Sequence, residues 1–245
     1  MKFSTWPILR FVFGIALIPS TMSLAATPCP PPQVSAQGGT SASTTCQTVS
    51  TGGTYSTSFA TSENPISEGG VWRHTGLDWT TVKSESGRVH GTQTNTVYAY
   101  NDSYAYLSGF PANQSAEAVI YKSSTNSVNK EVELLLRWSD SAHSAQGYEI
   151  NIEQDGLYAQ IVRWNGPFGS YMELARAGST PVPKTGDVYK ATIVGNVITV
   201  YYNNTKIMQA TDSTWATGQP GIGFFVEPGA SNSEFGFTHF TASGL

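Results

Sequence analysis

Charge is scarce in this chain: Asp, Glu, Lys and Arg make up 12% of its 245 residues. No basic block interrupts it, which excludes the electrostatic footprint of a nucleic-acid binder. Cysteine is nearly absent: Cys29 and Cys46 are the only two. Two cysteines alone do not make a zinc site, and His74, His90, His143 and His239 have no spacing that would complete one. Long apolar runs are missing after the first 20 residues, so the rest of the chain holds no membrane span. Long helical periodicity is missing too. No phosphate loop and no Ser-His-Asp constellation can be read.

The N-terminus reads as an export signal. Lys2 and Arg10 supply positive charge, Ile8–Pro19 is mostly apolar, and Ser23-Leu24-Ala25 is a small-x-small cleavage pattern, with Leu24-Ala25-Ala26 as its rival. An uncut anchor is the other reading, against which the apolar run is short. Residues 1–25 are therefore expected to be removed and the remainder to be secreted or periplasmic. Loss of Lys2 and Arg10 takes the formal net charge from −4 to −6. Residues 26–53 are rich in Pro, Ser, Thr and Gly, an arm that cannot bury enough to fold alone. Export makes a Cys29–Cys46 disulfide the expectation there, a local staple with a loop-closure contribution of up to ~3 kcal/mol.

From residue 54 to 245 the pattern becomes short alternating runs punctuated by Gly, Asn, Asp and Pro. Strands are expected at Tyr55–Phe59, Val71–His74, Thr80–Lys83, Arg88–His90, Ala105–Leu107, Gln114–Lys122, Lys130–Trp138 and Gly147–Gln154. Further strands are expected at Leu157–Trp164, Ser170–Ala177, Val188–Val194, Val197–Asn203, Thr205–Thr211, Gln219–Val226 and Ser233–Thr241. Asp155-Gly156, Gly195-Asn196 and Asn203-Asn204 are hairpin signals between them. So many short strands at close spacing mean an all-β sandwich or barrel.

The order GYEINI, hairpin, RWNG, then YKATIVGNVITVYYNNTKIMQATD and the closing GQPGIGFFVEPGASNSEFGFTHFTA resembles the concanavalin A-like lectin/glucanase superfamily, in particular its bacterial laminin-G-like domains. SFATSENPISEGGVW is similar to their first strand and the loop that follows it. The resemblance spans Tyr55 to Ala242. It implies a jelly roll of two antiparallel sheets with ligands on or beside the concave face. It leaves activity open, because lectins, binding modules, hydrolases and lyases share the fold.

Within Gly147–Gly156, Glu149, Asn151 and Glu153 alternate with Tyr148, Ile150 and Ile152, so a strand places the polar three on one face and the apolar three in the core. The family 16 glucanases carry Glu-x-Asp-x-Glu on such a strand. Carried over, that motif makes Glu149 the nucleophile and Glu153 the acid/base. Asn151 stands where the motif has Asp, and an amide cannot share a proton as a carboxylate does. Residues four apart on a strand are also ~13 Å apart at Cα, whereas a retaining pair needs carboxyls ~5–5.5 Å apart. The other reading of the run is a strand with a wet face.

A polysaccharide lyase needs a Tyr or His base with Arg, Gln or Asn to neutralise a uronate. His90, Gln160 beside Tyr158, and Arg137 on the face of Glu133 are the residues on offer, but the alginate-lyase motifs are absent as sets. His90 is expected to be a packed strand residue. Aromatic residues argue for sugar contact, because sugar rings have apolar faces. Tyr104, Trp138, Trp164 and Phe168 are the candidates, with Tyr104, Trp164 and Phe168 expected on loops; core packing is the competing use of such rings. Asn101, Asp102, Asp140 and Asp212 are loop oxygens that leave a structural calcium ion open but form no spaced ligand set, so no cofactor is expected.

The reading is a secreted sandwich that recognises a polysaccharide or other glycan. The alternatives are a polysaccharide-degrading enzyme of the same fold and a structural or protein-binding extracellular module.

Overall fold

Alternation of apolar and polar residues builds fourteen strands and a single 3-10 turn among the described residues. The computed structural model describes residues 53–94, 102–123 and 126–245. The expected signal, the arm up to residue 52 and the Cys29–Cys46 disulfide lie outside the described residues, as do Tyr98, Tyr100 and Asn101. The strands are β1 (Thr54–Thr57), β2 (Val82–Glu85), β3 (Arg88–Gly91), β4 (Ser103–Tyr106), β5 (Gln114–Lys122), β6 (Lys130–Ser141) and β7 (Ser144–Glu153). They continue with β8 (Ala159–Gly166), β9 (Tyr171–Ala177), β10 (Val188–Val194), β11 (Val197–Tyr202), β12 (Thr205–Thr211), β13 (Gln219–Val226) and β14 (Phe235–Gly244), the turn at Asn232–Glu234 leading into β14.

Two antiparallel sheets result. One has eight strands in the order β12-β11-β10-β5-β14-β3-β2, with β1 also paired to β14. The other has six, β4-β13-β6-β7-β8-β9. Their facing sides bury a core that includes Ile120, Leu134, Leu136, Ile150, Ile152, Ile161, Tyr189, Phe224, Phe237 and Phe240. This is the concanavalin A-like β-sandwich expected from the sequence, with Ile150 and Ile152 in the core as the alternation required.

The hairpins follow their turn residues. Asn203 and Asn204 both have positive φ (47° and 64°), as a type I′ turn demands. Gly195 alone is positive in its pair, at 60°, which fits type II′. Asp155-Gly156 departs from the tight turn expected: only Gly156 is positive, β7 ends at Glu153 and β8 begins at Ala159, so the connection is wider and Leu157 and Tyr158 are not strand. Val71–His74 is likewise not a strand. Its one pairing is an isolated bridge from Arg73 to Tyr106, because Gly69, Gly70 and Gly76 flank a segment that wraps the sheet edge.

One irregularity decides where a candidate side chain points. The β6–β7 register shifts between Leu136 and Ser139, and Arg137 has φ 48°. This bulge adds a residue to β6 and breaks its two-residue alternation. Arg137 leaves the face of Glu133 and donates to the carbonyls of Ala112 (2.9 Å), Trp215 (2.9 Å) and Gly195 (2.6 Å). It is a buried strut tying three loops, a correction to its expected place beside Glu133.

Candidate functional site

The outward face of the six-stranded sheet is unusually polar for a buried surface. Across its middle runs one rung of register partners: Tyr104 on β4, Gly223 on β13, Glu133 on β6, Asn151 on β7, Gln160 on β8 and Arg176 on β9. The rung below pairs Glu131 with Glu153, and the rung above pairs Leu135 with Glu149 and Glu149 with Val162. Asp102 enters immediately before β4. Gly223 makes room: a Cβ there would stand 2.1 Å from Glu133 Oε2, so the carboxylate lies across a position that only glycine leaves open.

A cavity of about 400 Å³ opens on this face. Asp102, Glu131, Glu149, Asn151, Tyr158, Gln160, Trp164, Tyr171 and Arg176 are among its lining residues. Trp164 donates its indole N–H to Glu149 Oε2 at 2.6 Å, and Asn151 Nδ2 donates to Glu149 Oε1 at 2.9 Å and Gln160 Oε1 at 3.2 Å. Tyr158 donates its hydroxyl to Glu131, and the Arg176 guanidinium lies 4.6 Å from the centre of the Tyr158 ring.

The electrostatics are lopsided. Carboxylate oxygens of Asp102, Glu133 and Glu149 all lie within 4.8 Å of one another, and all three residues are buried. Burial and then mutual repulsion push Asp102 and Glu133 well above the usual carboxylate range. Burial raises Glu149 as well, against the opposing bonds from Trp164 and Asn151. Glu131 is pushed up to about 8 by burial and the charge of Glu149, with Tyr158 opposing. Like charges crowded in a low-dielectric site favour their neutral forms, and such groups gather at functional sites.

Of the residues expected from sequence, Glu149, Asn151, Tyr158, Gln160 and Trp164 meet in this cavity. Glu153 does not line it. Its Oε2 accepts the backbone N–H groups of Asp155 (2.8 Å) and Leu157 (3.0 Å), so it holds the β7–β8 connection. Tyr104 and Trp164 lie on strands, not loops, and both are buried. With Trp79, Trp138, Leu135, Ala145 and Val162 they form a second apolar cluster on the outward face. Tyr104 donates to Asp140 at 2.7 Å, its ring 5.3 Å from that of Trp138. Phe168 is a loop residue, as expected; it is 38% exposed and its ring stands 5.4 Å from Trp79. His90 is a packed strand residue, as expected, with Nδ1 2.9 Å from the Gly91 carbonyl.

Two of the oxygens expected on loops and considered for calcium are committed elsewhere, and one of them, Asp140, lies in β6 rather than on a loop. Asp212 pairs with Arg163 (2.6 Å) and accepts from Tyr148, while Asp140 is filled by hydrogen bonds from Thr75, Gly76, Tyr104 and Tyr106. Of the three described members of the set, Asp102 is the one that faces other acids. Glu131, Glu133, Tyr171 and Arg176 are the site residues that sequence reasoning missed. The alternation Glu131-Val132-Glu133-Leu134 was a readable signal for the first two; what it lacked was the register that sets them beside β7.

No protein-family model matches the chain, and neither does any curated protein. Solved structures do. A β-glucanase from Bacillus licheniformis superposes with a TM-score of 0.51 at 13% identity, covering 80% of this chain and 100% of its own. A carbohydrate-binding module from Bacillus subtilis gives 0.49 at 16% identity, covering 71% and 92%. A kappa-carrageenase from Zobellia galactanivorans gives 0.49 at 12%, covering 77% and 92%. At these identities the likeness is one of fold, and the fold is the concanavalin A-like sandwich.

Proposed function

We propose that this chain is an exported glycan-recognising β-sandwich protein whose outward sheet face takes part of a polysaccharide. The observation that carries the reading is the composition of one cavity: Glu149, Asn151 and Gln160 offer hydrogen-bonding groups between the rings of Trp164, Tyr171 and Tyr158. Sugar recognition needs this mixture, ring faces for the apolar side of a pyranose and fixed polar groups for its hydroxyls. A glycan array probed with the full chain tests the reading, alongside Tyr171→Ala. Tyr171 is 41% exposed at the rim, so its removal is expected to weaken binding by ~1–3 kcal/mol, the usual cost of truncating a contact aromatic. Silence across the array, or affinity unchanged in Tyr171→Ala, overturns the assignment of this face.

One observation favours a second reading, glycoside hydrolysis. Glu131 and Glu149 both line the cavity and the charge of Glu149 helps raise Glu131, so two interacting carboxyl groups, which hydrolysis requires, share it from adjacent strands. Reducing-end release from β-glucans by the wild type, abolished in both Glu131→Gln and Glu149→Gln, supports it. Unsaturated products would instead indicate a lyase.

A further inference from the structure

Glu133 and Asn151 are the residues this face explains least. Each is buried, 1% and 3% exposed, and each has an oxygen with no hydrogen-bond partner among the described residues: Glu133 Oε1 and Asn151 Oδ1. Leaving a buried acceptor bare costs on the order of 1–3 kcal/mol, and more when it is charged. The orientation of the Asn151 amide is settled by its donors, because Nδ2 serves Glu149 and Gln160. Gln160 is the register partner on the β8 side and Glu133 the partner on the β6 side. The nitrogen is thus spent on Glu149 and Gln160, and the oxygen is left bare beside the β6 partner Glu133.

Arg176 lines the same cavity but lies over the Tyr158 ring. Among the described residues no ion pair includes Asp102, Glu133 or Glu149. The segment 95–101 leading into Asp102, NTVYAYN, has no Lys or Arg in its sequence. Three ionised carboxylates in a dry site repel strongly unless protons or a cation intervene. Their spacing suits a cation: two oxygens on one calcium-sized ion, each at ~2.3–2.6 Å, stand no more than about 5 Å apart. The 4.8 Å envelope of these oxygens falls inside that limit.

We propose that Asp102, Glu133 and Glu149, with the amide oxygen of Asn151, bind one hard divalent cation of the calcium class. The donors are all oxygen, with no thiolate or imidazole among them, which favours calcium, magnesium or manganese over zinc or copper. Asp102 and Glu149 also line the cavity, so solvent or a ligand's hydroxyls can complete the ion's shell from that side. The site does not rest on the glycan reading, and it can be tested without any sugar.

The experiment is calorimetric titration of the full chain, stripped with chelator, using calcium, magnesium and manganese chlorides in turn. One equivalent of calcium is expected to bind, with a calcium-dependent rise in melting temperature. Glu133→Gln and Asp102→Asn keep the shape and remove a charge, and each is expected to weaken binding by about tenfold or more, since ligand charge sets affinity. Glu117→Gln, whose carboxylate pairs with Lys190 on the other sheet, is expected to leave binding unchanged. A wild-type measurement covers the case in which a variant fails to fold: manganese should broaden the indole N–H resonance of Trp164, which bonds Glu149, before that of Trp72, which bonds Glu68. No binding of any of the three ions at ~10 mM, well above the range for extracellular calcium modules, overturns the proposal. So does binding that both variants leave intact, or manganese broadening that spares Trp164.

Discussion

Asp140 and Glu133 lie seven residues apart on β6, in the same sheet, and have opposite surroundings. Asp140 accepts from the Thr75 N–H (2.7 Å) and hydroxyl (2.5 Å), the Gly76 N–H (3.1 Å) and the hydroxyls of Tyr104 and Tyr106 (both 2.7 Å). Burial alone would raise it, but those bonds outweigh burial and hold it below the usual carboxylate range. Glu133 has no such donors among the described residues, and burial and three neighbouring acids push it up. The same functional group is thus a structural bolt at one end of the strand and an unsatisfied charge in its middle. Hydrogen bonds to the charged form, together with the lesser burial of Asp140, separate the two. A carboxylate with a full set of donors holds loops together; one without them is poised to take a proton, a cation or a ligand.

Trp164 bridges the two environments and gives the largest expected effect. Its ring packs 5.8 Å from Trp79 and 5.7 Å from Tyr171, while its N–H is spent on Glu149. Trp164→Ala is expected to cost about 4 kcal/mol in urea unfolding, in the range for a buried aromatic cut to Ala. This reverses the expectation for a loop ring, whose loss would leave stability almost unmoved. Trp164→Phe retains most of the packing and deletes the bond to Glu149, so it should recover most of that stability while still weakening ligand binding. If the Phe variant is as unstable as the Ala variant, the indole N–H belongs with the structural bonds and the contrast drawn from β6 fails at this residue.

Asp140→Ala comes next, at about 2 kcal/mol, because it strands two tyrosine hydroxyls and three other donors while the group itself is only half buried. Its sign with pH follows from the direction of the shift. A carboxyl lowered on folding stabilises fully above its unfolded pKa, and that contribution is lost as pH falls through the folded value. The wild type should therefore lose stability on acidification below the ordinary Asp range, and Asp140→Ala should lose less over the same interval. Parallel acid profiles for the two would remove Asp140 from the list of structural bolts.

Much of this sandwich was legible because alternation and turn chemistry are local. Ile150 and Ile152 sit in the core, and Asn203-Asn204 and Gly195-Asn196 turn where their residues require. The site was half legible. Glu149 and Asn151 share the expected face and Gln160 and Trp164 join them in the cavity, Trp164 from a strand rather than the expected loop, yet Glu131 and Glu133 reach it from β6 by a register that a single strand's sequence does not carry. Arg137 was misplaced for a related reason: two-residue alternation holds only until a bulge, and the bulge after Leu136 answers to packing across strands. Glu153 shares a face with Glu149 but is captured by the N–H groups of its own turn, a local competition that the wide β7–β8 connection creates.

The smallest expected effect is also the sharpest test of the contrast, because its sign is inverted. Glu133→Gln removes an acid that has no donor bonds and no ion pair among the described residues, and it leaves shape and volume nearly unchanged. The wild type at pH 8 in chelator must either bear the repulsion among Asp102, Glu133 and Glu149 or hold a proton above the ordinary carboxylate range; the variant escapes part of either cost. Breaking a satisfied buried charge destabilises, whereas neutralising an unsatisfied one relieves the fold. Glu133→Gln should therefore be more stable than the wild type by about 1 kcal/mol, or ~2–4 °C in Tm for a domain of this size. Asp140→Asn, the same chemical change seven residues along the strand, should move Tm down. Adding calcium should narrow or reverse the Glu133→Gln advantage, since the cation stabilises only the chain that retains its ligand. If Glu133→Gln melts below the wild type in chelator as Asp140→Asn does, Glu133 is a structural carboxylate like its neighbour, and the middle of β6 has no charge waiting for a partner.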